Sequence, residues 1–208
     1  MNKQLIVAFL ASVAIVVAGS SLEGAQKGPI KVGFLTQMTG AGAAVGKDMS
    51  NGFSMLLEEI GNQIAGRKVE VIIEDTQGDP AQALTKLRKL VESDGVHAVA
   101  GIFLASEGYA LAPKVDEYRI PTVWAVVSAD DLTQRKPTKW AVRTGWSSSQ
   151  PNHPFGEWVH KSLGHKRVVT VAMDYAFGWE QVGGFQRTFE EAGGQVVQKL
   201  WPPLNTTD

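Results

Sequence analysis

Three loops and one tyrosine carry the residue types that could capture a small anion. The loops are Thr36 to Gly46, Phe103 to Gly108 and Trp124 to Asp130, and each follows a short apolar run of strand character. Where a helix starts at such a strand end, its first backbone N–H groups have no acceptor within the helix, which makes them ready donors for a carboxylate. The hydroxyls of Ser106 and Ser128 add to that set. Both serines read equally well as helix caps, since Ser128-Ala129-Asp130-Asp131 has a capping-box form and Ser106 stands at the head of a helical stretch. Tyr175 follows a later strand, a place where it could contact a ligand or pack at a helix start. Phe103 and Trp124 end strands, Trp146 lies in an irregular stretch and Trp179 stands beside Tyr175, so a ring-shaped ligand would meet aromatic faces and edges. Ordinary core packing is the competing reading for each. An ammonium group would need Glu107 or Asp130, which are also normal residues at helix starts.

Other chemistries find little support. Gly40-Ala41-Gly42-Ala43-Ala44-Val45-Gly46 follows a strand and precedes a helix, as a dinucleotide loop would, and Glu74 or Asp75 could meet a ribose. The strand ends near Leu35, however, so the first glycine comes several residues late for the tight turn that such a loop needs. A flexible lid over a cleft accounts for the same glycines. His97, His153, His160 and His165 show no paired metal-ligand spacing, and no Gly-x-Ser-x-Gly elbow or His-Glu-x-x-His run is present. The chain therefore reads as a binder and not an enzyme, with no cofactor and no metal.

The elements that must position these loops follow a repeated βα rhythm. Lys3, an apolar run from Leu5 to Gly19 and small residues at Ala18, Ser20 and Ala25 form a cleavable export signal over residues 1–25, with cleavage favoured after Ser20. A membrane anchor is the alternative, but the run is short for a span. The chain has 208 residues, no cysteine, and 20 basic against 21 acidic side chains. That balance draws neither nucleic acid nor an anionic membrane, and the missing thiol leaves no disulfide and no lipid attachment. Strands are predicted at Ile30 to Leu35, Val69 to Ile73, Val96 to Gly101 and Pro121 to Val127. Between them fall helices at Asp48 to Gly61, from Pro80 (capped by Asp79) to Gly95, and at Glu107 to Tyr118. The first helix should bury Met49, Phe53, Leu56, Leu57 and Ile60. The rhythm breaks from Ala129 to Gln150 around one short strand, Trp140 to Arg143. It resumes with a helix at Pro154 to Leu163, a strand at Val168 to Met173, a helix at Trp179 to Ala192 and a strand at Gln195 to Leu200. Parallel sheets covered by helices follow from this order. The boundaries are a first α/β lobe over 26–143, then a crossing with a partial second α/β lobe over 144–208.

The ordered set Ile30-Lys31-Val32-Gly33-Phe34-Leu35, Met38-Thr39-Gly40 with Gly46, Glu74-Asp75-Thr76 with Asp79-Pro80-Ala81-Gln82-Ala83, Ala100-Gly101, Ile120-Pro121 and Asp174-Tyr175-Ala176-Phe177-Gly178 resembles the periplasmic solute-binding proteins of branched-chain amino acid ABC transporters. That family also includes binders of aromatic carboxylates and amides. The resemblance implies a type I periplasmic-binding-protein fold, with two Rossmann-like lobes and the ligand between them, and the chain as a truncated version whose second lobe is incomplete. It implies a monomer that captures a small-molecule carboxylate in the periplasm and delivers it to a membrane permease; a periplasmic sensing subunit would use the same fold. The ligand is placed against Phe103, Ala105 and Ser106 of one loop, Trp124, Val127 and Ser128 of the next, and Tyr175 of the second lobe. Relatives often carry serine where this chain has Ala105, which leaves Ser106 or main-chain groups to hold the carboxylate. The acidic residue that serves amino acid binders falls beyond Asp208.

Overall fold

In the computed structural model, residues 28–204 and 206 are described. The export signal at 1–25 lies outside the described residues. Among the described residues, eight strands and five α-helices make two lobes. The first lobe holds β1 (Ile30–Thr36), α1 (Ala43–Glu59), β2 (Gln63–Ile64), β3 (Arg67–Asp75), α2 (Pro80–Arg88), β4 (Ala98–Gly101), α3 (Ala105–Tyr118), β5 (Thr122–Trp124) and β6 (Ala141–Arg143). The second holds α4 (Asn152–Lys161), β7 (Arg167–Val171), α5 (Ala176–Glu191) and β8 (Gln195–Leu200).

The first sheet runs β2-β3-β1-β4-β5-β6, parallel except for the short edge strand β2. The chain leaves β1 for β3 on one side, then passes back over β1 to β4 on the other. That reversal makes the ends of β1 and β4 the topological switch point, the place beyond the carboxyl ends of the strands where open α/β sheets form a ligand crevice. Leu35, Leu87, Leu90, Val99, Leu111 and Trp124 belong to one buried cluster beneath it. Asp79 caps α2 as its spacing predicts, its carboxylate accepting from the N–H groups of Ala81 and Gln82 at 2.7 and 2.8 Å.

Two helix starts shift by three residues or more, and β5 ends at Trp124, short of Val127. The first helix begins at Ala43, five residues before Asp48, so its inward face is Gly46, Ser50, Phe53 and Leu57, with the Phe53 ring stacked on Phe34 at 5.1 Å. Leu56 and Ile60 face outward, 53% and 43% exposed. The glycine loop is correspondingly shorter than a lid over 40–46, because Gly46 is helical and buried. A Cβ there would meet the Gln37 carbonyl oxygen at 1.8 Å, so this glycine serves close packing. The second shift is at the last long helix, which begins at Ala176 and not at Trp179.

The crossing strand β6 joins the first sheet, parallel to β5. Beyond it, Ser147, Ser148 and Ser149 are buried between the lobes. The second sheet is the parallel pair β7-β8, with α5 connecting the two strands.

Candidate functional site

The walls of the crevice are set by the segments after β1, β3 and β4. After β1, Asp75 at the end of β3 clamps the loop, its carboxylate accepting from the Met38 N–H at 2.8 Å, the Thr39 hydroxyl at 2.7 Å and the Gln77 N–H at 2.9 Å. Burial alone would raise this carboxyl, but the bonds from Thr39, Gln77 and Met38 outweigh it and hold it below the usual range. Glu74 pairs with Lys86 at 2.8 Å and Lys89 at 2.7 Å. Both acids that a dinucleotide reading would use are thus engaged in holding the fold.

After β4 the backbone turns sharply. Gly101 and Ile102 both have positive φ, 95° and 60°, and a Cβ on Gly101 would lie 2.3 Å from the Leu35 carbonyl oxygen. For a β-branched residue the Ile102 conformation is an outlier that its burial must hold in place, and such strain concentrates at functional sites. The turn aims the chain into α3, whose first-turn N–H groups at Ala105 and Ser106 have no acceptor within the helix. Glu107 sits fully buried behind them and accepts from the Leu104 N–H at 3.0 Å. Burial pushes its carboxyl up, partly opposed by the nearby Thr76 hydroxyl and the Leu104 and Phe103 N–H groups. The Thr76 hydroxyl acts from close by without closing a bond, since Oε1 has no hydrogen-bond partner. With no exposed surface, Glu107 offers nothing to a ligand ammonium.

The capping alternatives for the two serines are not what the structure shows. Ser106 lies within the first turn of α3, whose N-cap is Leu104. The Ser128 hydroxyl meets the Ser148 hydroxyl at 3.0 Å, joining the end of the first lobe to the crossing, and the short turn at Asp130–Leu132 has no side-chain cap. Among the predicted contacts, Phe103, Ser106 and Tyr175 keep partly exposed side chains. Trp124 and Val127 have no exposed surface, so they back the crevice from within the core, and Ala105 is 3% exposed. The Trp124 indole N–H is buried without an acceptor. Trp146 and Trp179 are 62% and 53% exposed, the latter with its indole N–H donating to Asp174 at 2.9 Å.

The second lobe brings the start of α5 to the same place. Tyr175 is its N-cap residue, half-buried, with burial pushing its hydroxyl up and its ring 6.0 Å from that of Phe177. Ala176 and Phe177 pack against the first-lobe core. One turn further, Glu180 accepts from the Tyr109 hydroxyl of α3 and from the Asp130 N–H at 3.2 Å. The starts of α3 and α5 therefore converge, each with its positive dipole end at the junction of the lobes. Sequence reasoning missed Tyr109, Glu180 and Ser148, although Glu180 stands directly after the Asp174 to Trp179 stretch and its aromatic candidates. Among the described residues no group of three His, Asp or Glu side chains could hold a metal ion, and no helix is long and apolar enough to cross a membrane.

Comparison with known proteins agrees with this architecture. The family described as "Periplasmic binding protein" matches residues 29–208. The chain is 30% identical over 200 residues to Leu/Ile/Val-binding protein homolog 6 of Brucella abortus, a match covering 96% of this chain and 50% of that protein. A solute binding protein of an ABC transporter from Rhodopseudomonas palustris BisB5, solved in complex with 3,4-dihydroxy benzoic acid, superposes with a TM-score of 0.80 at 30% identity, over 86% of this chain and 49% of that one. A leucine binding protein from Thermotoga maritima gives a TM-score of 0.77 at 25% identity, over 86% and 50%. The chain spans about half the length of the relatives it matches. With a two-lobed parallel α/β fold, helix starts converging at the switch point and a family match over nearly every described residue, the chain belongs to the periplasmic binding protein family.

Proposed function

We propose that this chain is an exported solute-binding subunit of an ABC importer that captures a small aromatic carboxylate between its lobes, 26–143 and 144–208. The convergence of the α3 and α5 N-termini beside Phe103 and Tyr175 carries this reading. The Ala105 and Ser106 N–H groups anchor the carboxylate, with the Ser106 hydroxyl beside them. Phe103 and Tyr175 flank the ring, Trp124 and Val127 shape the floor from behind, and Ser128 ties that floor to the crossing. Closure is a population shift, so the ligand must bind the closed form better than the open one. No bond is made or broken. The closed monomer then docks on a membrane permease in the periplasm. Solved relatives bound to 3,4-dihydroxybenzoate, benzoate and 4-hydroxybenzoate favour an aromatic acid, while the Leu/Ile/Val-binding homologue and the leucine binding protein keep a branched-chain amino acid as the second reading.

A thermal-shift screen of the chain from Ala25 against benzoate, 4-hydroxybenzoate, phenylalanine and leucine tests this. A ligand at a hundred times its Kd adds about 2.7 kcal/mol of stability, enough to move the melt visibly. A shift with the benzoates supports the aromatic reading, a shift with leucine alone replaces it, and no shift with any overturns both. Tyr175→Ala should weaken binding about tenfold or more, the equivalent of about 1.4 kcal/mol.

A further inference from the structure

Past the crossing, where Ser128 and Asp130 bond to Ser148 and Ser149, α5 meets the first lobe through an apolar contact and a polar one. The apolar contact, Ala176 and Phe177 on the first-lobe core, has no preferred direction and tolerates sliding. The polar contact does not. One carboxylate on the second lobe, Glu180, is gripped by two donors of the first lobe that come from different elements: the Tyr109 hydroxyl on α3 and the Asp130 N–H in the turn after β5. The Tyr109 oxygen is itself fixed by the Asp131 N–H at 3.3 Å. Asp130 reaches the other way, its carboxylate accepting from the Ser149 N–H of the crossing at 3.0 Å. One turn along α5 from Glu180, a Cβ on Gly184 would lie 2.5 Å from the Ser149 carbonyl oxygen, so the helix is seated tightly on that crossing. The Arg143 guanidinium donates to the Ala129 carbonyl at 2.7 Å and places a positive charge near Asp130 and Glu180.

Directional bonds to an ionised acceptor define an angle where apolar packing cannot. We propose that Tyr109 and Glu180 are positioning residues, a latch between α3 and α5 that sets the angle between the lobes and hence the width of the crevice. The latch lies one helical turn from each N-terminus that faces the crevice, so a small rotation there changes the spacing of the proposed ligand contacts. Burial, then Glu180, raises the Tyr109 hydroxyl, so it keeps its proton and its donor role. Only the consequence for ligand affinity rests on the function proposed above.

The chain has no cysteine, so a label pair can be introduced cleanly. Nitroxide labels at Glu58→Cys on α1 and Lys199→Cys on β8, both exposed, report the distance between the lobes by pulsed electron paramagnetic resonance. The parent should give one narrow distribution. Tyr109→Phe, which removes only the hydroxyl, and Glu180→Ala should each displace or broaden it, and the double variant should do no more than either alone. If a folded Tyr109→Phe or Glu180→Ala variant melts at a lower temperature but keeps the parent distribution, the pair is merely structural and the proposal fails. Glu180→Ala carries the test alone should Tyr109→Phe not fold. No ligand is added, so an empty ligand screen leaves this measurement standing.

Discussion

The two lobes are built from the same βα unit, yet within residues 28–204 they enclose it to different degrees. In the first, six strands share a core in which Leu35, Leu90, Ile102 and Trp124 have no exposed surface. In the second, β7 pairs among the described residues with β8 alone, and Val169 and Val171 are 50% and 64% exposed. A groove of about 670 Å³ runs beside that strand, lined by Phe155, Val168, Val171, Tyr175, Phe177 and Phe185. Packing in this lobe is between helices, where the Phe185 ring stacks on Phe189 at a centroid separation of 5.3 Å and tilts against Phe155 at 5.6 Å. A two-stranded sheet buries little by itself, so the second lobe depends on α4 packing on α5 and on its seat against the first. The lesson is that strand character and sheet stability are separable: Arg167 to Val171 form a parallel ladder, with one register shift between Val168 and Val169, without an enclosed core.

The largest test of this contrast is Trp124→Ala. It should cost about 3–5 kcal/mol, the range for removing a buried aromatic side chain, and abolish the cooperative urea transition of the first lobe. Phe189→Ala removes a side chain that is equally buried, but should melt only the second lobe. Amide hydrogen exchange separates the two: β7 and β8 should exchange ahead of β1, and equal protection would break the contrast.

Next in size is a pair of neighbouring glycines on α5. Gly184→Ala drives a methyl into the Ser149 main chain and should destabilise by about 1–3 kcal/mol. Gly183 has open space around it, so Gly183→Ala should stabilise the second lobe by about 0.5–1 kcal/mol through helix propensity. Chemical denaturation of the two variants side by side reads both signs; a matching sign would mean that the crossing does not seat α5.

The smallest effects are electrostatic and belong to the first lobe. Hydrogen bonds and charge from Lys86 and then Lys89 hold Glu74 below its ordinary value of 4.5. Its stabilisation is therefore present above that value and is lost as pH falls through the lowered one. Glu74→Gln should flatten this acid limb by about 1 kcal/mol or less, since both lysines are partly exposed. Glu107 has the opposite sign. Its carboxyl is raised by burial, so its contribution is full below 4.5 and declines as pH rises through the folded value. Stability of the parent relative to Glu107→Gln should accordingly fall between acid and neutral pH, and a flat difference would show that Glu107 keeps one charge state throughout.

Much of the fold was legible in the chain. The Asp79-Pro80 start of α2, the alternation of β3 and the Gln195 to Leu200 strand follow from local rules of capping and periodicity, which act within a few residues. The start of α1 was not legible, because Ala43 to Gly46 looks like loop until the Gln37 carbonyl is seen pressing on Gly46. The short edge strand β2 escaped for want of length. At the site, the loops after β1, β4 and β5 could be named from strand ends alone, but not which side chains turn outward. Trp124 and Phe103 look alike as aromatic strand ends, and only packing puts one fully inside and leaves the other partly open.

The sequence by itself determined the βα order, the parallel sheets, the family resemblance and the positions of the loops, since each rests on short-range pattern or on an ordered set of motifs. Tertiary structure alone decided the pairing of Glu180 with Tyr109, separated by 71 residues, the meeting of Ser128 with Ser148, and the burial of Glu107 behind the α3 turn. Those contacts join segments distant along the chain. No local pattern encodes them, because they arise only when two lobes have folded and their helix ends are brought within hydrogen-bonding distance.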